Sequence, residues 1–137
     1  MNYTIAQAAK KMNLTIYTIR YYDREGLLTN VKRDKSGNRV FTKDDMEMLS
    51  LICCLKNTGM PIKKIKQFTD WHNEGSQTLH IRNDMLENHK EDILKQIDDL
   101  KNIFVRLIES WIITMMPARP TIRTHQFQPA ANISMMS

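Results

Sequence analysis

From Leu79 to Thr114 the chain runs 36 residues without a glycine or a proline. Within that stretch Ile93, Ile97, Leu100, Phe104, Leu107 and Trp111 recur at alternating steps of four and three, the beat that lines one side of a helix with apolar side chains. At about 1.5 Å per residue the helix would be about 54 Å long, far more than a small domain can cover. A seam of this length needs a second seam, so the pattern predicts a dimerisation helix over 76–114 and a homodimer. Carrying the beat backwards places Lys90 and Asn83 inward, so close packing should weaken toward Leu79.

The remaining residues set further bounds. A chain of 137 residues with 42% apolar content suits one modest domain plus an extension. No run approaches the roughly 18 apolar residues of a membrane span, and "MNYTIAQAAKK" lacks the apolar stretch of a secretory signal, so the expected location is the cytoplasm, away from membranes. The two cysteines, Cys53 and Cys54, are adjacent. That excludes a disulfide framework and a CxxC-type zinc site and predicts reduced thiols. Charge is unevenly spread. Residues 1–70 carry 13 Lys/Arg against 7 Asp/Glu, whereas residues 71–114 carry 5 against 8. A basic front half calls for a polyanionic partner.

In that half, Thr4 caps a helix through Met12, with Ile5, Ala8, Ala9 and Met12 on one face. Thr15 caps a second helix, in which Ile16 and Ile19 point inward until Gly26 stops it. Short strand-like runs at Leu28–Lys32 and Asn38–Phe41 flank a turn at "DKSG", giving a basic hairpin. Thr42 and Asp45 form a capping box for a third helix that ends at Thr58-Gly59. Pro61 opens a fourth, with Ile62, Ile65 and Phe68 facing one way and Lys63, Lys64 and Lys66 the other. The expected organisation is therefore a basic front domain over 1–75, with two short helices joined by a tight turn and a hairpin at 29–41. The rod occupies 76–114, and a proline-containing irregular extension 115–137. The fold class is mainly α.

The second helix has to serve two purposes. One face packs on the first helix while the other enters a major groove flanked by phosphates. Ile16, Ile19 and Leu27 supply the buried side; Thr15, Tyr17, Thr18 and Arg20 can reach bases or backbone, and Tyr21 and Tyr22 add phenolic donors. The stretch "YTIAQAAKKMNLTIYTIRYYDREGLL", followed by "GNRVF" and "LKNTGMPIKKIKQF", resembles the MerR family of bacterial transcription regulators, and the likeness extends to about residue 112. It implies that 1–75 is a winged helix-turn-helix DNA-binding domain with residues 4–23 as the helix-turn-helix and 29–41 as the wing, an antiparallel coiled-coil homodimer, and double-stranded promoter DNA of pseudopalindromic sequence as partner. It also implies activation by bending and untwisting an overlong spacer for RNA polymerase. On the same resemblance Arg20, Tyr21 and Tyr22 match recognition-helix positions that include phosphate contacts, and Arg39 matches the wing arginine. Lys35 at the hairpin tip and Lys63 and Lys64 on the fourth helix are further candidate backbone contacts.

Metal-sensing members carry cysteines near the start of the rod and in a loop after it; "EGSQTLHIR" and the tail have none, so no metal and no cofactor are expected. His72, His80, His89 and His125 show no ligand arrangement and read as surface side chains. About twenty residues follow the rod, too few for a separate effector pocket. The passage "ICCLKNTGM" resembles the subgroup that responds to aldehydes and other thiol-reactive electrophiles, and Cys54 matches its sensing position. Lys56, Lys63, Lys64 and Lys66 could favour its thiolate, the reacting form. Cys53 falls nearer the inward stripe of Met46 and Leu49 and is the structural one of the two. Catalysis is not expected, since no histidine stands at a base's spacing from either thiol. The alternative is an architectural or excisionase-like winged-helix DNA binder without effector sensing, a class that lacks a long heptad helix.

Overall fold

A computed structural model describes residues 1–116. The irregular extension expected from 115 onward, including His125, lies outside the described residues beyond Met116. Two compact units divide the chain at His89 and Lys90.

The first unit begins with strand β1 (Tyr3–Thr4) and helix α1 (Ile5–Met12). Thr4 closes a reciprocal capping box with Gln7: its hydroxyl accepts from the Gln7 N–H at 3.2 Å and its own N–H donates to the Gln7 amide oxygen at 2.9 Å. Asn13 ends α1 in the left-handed conformation at φ 55°. Thr15 then caps α2 (Ile16–Arg24) by accepting from the Thr18 N–H at 3.0 Å, so the two helices are joined by a three-residue turn. Gly26, at φ +81°, turns the chain out of α2 and delivers Leu27 and Leu28 into the core, where they are 2% and 4% exposed.

The wing is a sheet of three strands rather than the expected two. β2 (Lys32–Arg33) and β3 (Arg39–Phe41) form the hairpin, and β1 pairs antiparallel with the other edge of β3, Tyr3 opposite Phe41. The first wing strand lies at Lys32–Arg33 and not over Leu28–Lys32, because Leu28 is buried in the core and the Val31 N–H turns back onto the Leu28 carbonyl at 3.2 Å. Asp34 organises the turn, its carboxylate accepting from the N–H groups of Ser36 and Asn38 at 2.9 Å each, while Gly37 donates to the Asp34 carbonyl at 3.0 Å.

Helix α3 (Lys43–Asn57) starts from the Thr42–Asp45 capping box and α4 (Ile62–Glu74) from Pro61, which sits just outside the helix as its cap residue. Ile19, Phe41, Leu49, Ile52 and Ile65 are fully buried, one from each of α2, β3 and α4 and two from α3. They meet in one core, which fixes the recognition helix and the wing to a common support. A short 3₁₀ turn (Ser76–Thr78) leads into α5 (Leu79–Met115), whose Met85 and Leu86 also pack on this core.

The second unit is the part of α5 from Lys90 onward. Its predicted seam stands open in the single chain, with Ile97 45%, Leu100 64%, Phe104 61%, Leu107 64% and Trp111 57% exposed and Ile93 half-buried.

Gly26→Ala tests the exit from α2. A Cβ there would meet the flexible Lys66 side chain, 3.0 Å from its Cε, which can move aside. The backbone cannot, so urea unfolding should report a loss of about 1–2 kcal/mol, the cost of a left-handed L-residue.

Candidate nucleic-acid interface and thiol pair

Residues of α2 alternate between the core and water, and this sorts the predicted contacts. Arg20 is exposed and Tyr17 is 69% exposed, with the Arg24 guanidinium 5.5 Å above its ring. Thr15 and Thr18 lie at the exposed start of the helix, their hydroxyls 2.8 Å apart in the cap. Tyr21 is half-buried beside Tyr22, ring centroids 6.0 Å apart.

Tyr22 departs from the expectation of a DNA contact. It is 4% exposed and belongs to the core, because it lies three residues after Ile19 on the same helix face. Its hydroxyl is paired with the Cys53 thiol. Burial pushes the Tyr22 hydroxyl pKa upward, assisted by the neighbouring Cys53, the hydrogen bond to it, and Tyr21.

Arg39 is engaged within the protein. Its guanidinium is turned inward onto Asp23 of α2, with Nε donating to Oδ2 at 3.0 Å and Nη2 to the same oxygen. Its side chain is 17% exposed, and its Nε and Nη2 donors are engaged by a carboxylate. The outward wing arginine is Arg33, directly across the hairpin, whose Nη1 donates to the Gly37 carbonyl at 2.7 Å and whose Nη2 lies 3.9 Å from Asp23. Sequence reading passes over Arg33 and Asp23. The usable signal is the hairpin register, which sets two arginines face to face and requires an acid nearby.

Arg20, Arg33 and Arg39 line one cleft of about 470 Å³ with Thr4, Asn38 and the start of α1. Lys35 at the wing tip and Lys63 and Lys64 in the first turn of α4 are exposed. An exposed helix face, a basic cleft beside it and a basic wing tip can together hold successive phosphates of a duplex.

On α3 the cysteines diverge. Cys54 is exposed; Cys53 is half-buried against the core. Burial raises the Cys53 pKa above its ordinary value of 9.0, and the adjacent Cys54 raises it further, with the Tyr22 hydroxyl opposing. Cys53 is thereby held as the neutral thiol near pH 7.

His72 and His80 are exposed, but His89 is not a surface residue: it is 8% exposed, with Nε2 2.7 Å from the Thr58 hydroxyl. Among the described residues no three His, Cys, Asp or Glu side chains converge as a metal site, and no helix is long and apolar enough to cross a membrane.

Two helices at a tight turn, a basic wing and a shared core define a winged helix-turn-helix DNA-binding protein. Residues 3–70 match the profile of the MerR HTH family regulatory proteins and residues 46–109 that of the MerR DNA-binding region. A Haemophilus influenzae protein described as an uncharacterized HTH-type transcriptional regulator is 47% identical over 109 residues, covering 80% of each chain. The crystal structure of HiNmlR, a MerR family regulator lacking the sensor domain, bound to promoter DNA, superposes with a TM-score of 0.70 at 47% identity, covering 76% of this chain and 79% of that one. A MerR family regulator from Bacillus thuringiensis gives 0.78 at 42% identity, covering 83% and 99%. The chain belongs to the MerR family of DNA-binding transcriptional regulators.

Arg20→Ala should weaken binding to specific and unrelated duplexes alike and lower the slope of log K against log salt by about 1. Tyr22→Phe should leave that slope unchanged. Fluorescence anisotropy across a salt series measures both.

Proposed function

We propose that the protein binds a pseudopalindromic promoter as a homodimer and activates transcription by bending and untwisting the spacer, with Cys54 sensing thiol oxidation or reactive electrophiles such as aldehydes. The observation that carries this reading is the open seam on α5. Large apolar side chains from Ile97 to Trp111 standing in water on one helix favour a matching surface, and a second copy of the same seam supplies one. Two copies place two reading heads on one duplex. Arg20, together with Tyr17, Thr18 and the exposed lysines 35, 63 and 64, then grips phosphates on both sides of the spacer. Those grips offset the ~1–6 kcal/mol that bending a short duplex costs. Presenting the two promoter elements together to RNA polymerase is the productive outcome. Family membership across both the head and the start of the rod favours this over an architectural DNA binder.

The thiol pair supports the sensing step. Cys54 is the accessible one, and Cys53 is held protonated in the core. With an aldehyde, the Cys54 thiolate sulfur bonds to the carbonyl carbon, the C=O π pair moves to oxygen, and that oxygen takes up the proton given up by the thiol. The product is a hemithioacetal, formed once per site with no turnover, so the protein acts as a regulator and not an enzyme. It works in the cytoplasm, where thiols are kept reduced and promoters are within reach.

Cys54→Ser should abolish the aldehyde-induced rise in transcription while leaving operator affinity unchanged, as measured by in vitro transcription beside anisotropy; a variant that still responds removes the thiol reading. Phe104→Glu should yield a monomer by light scattering and lose tight operator binding. A dimer persisting in that variant would place the interface elsewhere.

A further inference from the structure

Helix α5 has one buried residue among those described, and it is not apolar: it is His89. Packing alone could be served by another aliphatic side chain, as Met85 and Leu86 serve it one turn earlier. A buried imidazole is favourable only when hydrogen-bonded, so its partner is informative. Nε2 lies 2.7 Å from Thr58 Oγ1. Thr58 is the cap residue of α3: its hydroxyl lies 2.6 Å from the Cys54 carbonyl oxygen, and its N–H donates to that same oxygen at 3.1 Å. A hydroxyl has one proton. With that proton on the Cys54 carbonyl, Oγ1 is an acceptor toward His89, which sets the tautomer with hydrogen on Nε2. A directed chain results, from the His89 ring through the Thr58 hydroxyl to the backbone of the exposed cysteine.

We propose that His89 is the positioning residue that carries a change at Cys54 into the rod helix. The proposal rests on the reading of Cys54 as the sensor. An adduct on Cys54 enlarges a side chain in the last turns of α3, where the backbone from Cys54 to Thr58 forms the helix end. The Cys54 carbonyl moves with that backbone, and the Thr58 hydroxyl follows the carbonyl. His89 must then follow Thr58 or forfeit a buried hydrogen bond, a loss of the kind that drives a two-state shift rather than a gradual one. His89 is the last residue of the first unit, and α5 continues unbroken from it through Lys90, so its displacement enters the segment that bears the seam.

The test uses the full-length protein on its promoter, with N-ethylmaleimide as the probe and the Cys54 adduct counted by mass spectrometry. His89→Gln retains an N–H donor at the Nε2 position, His89→Leu fills the space without a donor, and Thr58→Val removes the hydroxyl at constant shape. All three should take the adduct at the wild-type rate and bind unmodified promoter normally. The Leu and Val variants should lose at least about fivefold of the adduct-dependent rise in transcript, and the Gln variant should keep it. A fully labelled Leu or Val variant that responds as wild type overturns the proposal, as does a Gln variant that fails alongside the Leu variant. Thr58→Val keeps the test decisive if His89→Leu does not fold. Wild type that is labelled at Cys54 and gives no rise removes the sensor reading itself, and the relay with it.

Discussion

Two arginines face each other across the wing hairpin, and the structure depends on what lies between them. Arg33 and Arg39 are register partners on β2 and β3, an arrangement that like charges oppose. Asp23, from the last turn of the recognition helix, takes the Arg39 fork directly and stands near Arg33 as well. One carboxylate thus relieves the repulsion within the wing and attaches the wing to α2. Reading helix and wing are held at a set spacing through this attachment and through the core residues Ile19 and Phe41 beneath it. Such rigidity presents the helix and the wing to a duplex as one surface.

The same economy governs the thiols. Adjacent positions on a helix point about 100° apart, so one cysteine must face the core when the other faces water. Here the core-facing one, Cys53, is paired with the buried Tyr22 hydroxyl, which leaves Cys54 as the accessible sulfur. Tyr22 therefore links the recognition helix to the thiol-bearing helix from inside the core. Cys54 is connected on its other side through Thr58 to His89. A short path of named contacts thus runs from DNA-reading helix to thiol pair to the start of the rod, all within the first unit.

Much of this architecture was legible in residue order, and the parts that were not share a cause. Thr4, Thr15 and Thr42 marked helix starts because capping is a contact between residues three apart, and the Asp34–Gly37 turn could be placed for the same local reason. The pairing of Tyr3 with Phe41 was not foreseen, since two-residue strands carry no periodicity and the partner is 38 positions away. Tyr22 and Arg39 were assigned to DNA on the family resemblance, and His89 to the surface for want of a ligand arrangement. Each proved to be satisfied by a distant partner: Cys53, Asp23 and Thr58. Polarity says that a group needs a partner and says nothing of whether that partner is solvent, nucleic acid or another part of the chain.

By itself the sequence determined the order of the helices, their caps, the basic bias of the front half and the apolar beat of the rod, because each follows from neighbours within a turn or two. Tertiary structure alone decided which charged and polar side chains remain available. That choice is made where α2, the wing, α3 and α5 meet, and only a folded chain brings together residues 16, 31 and more positions apart, so Arg39 turns to a carboxylate, His89 to a hydroxyl, and Arg20 stays exposed.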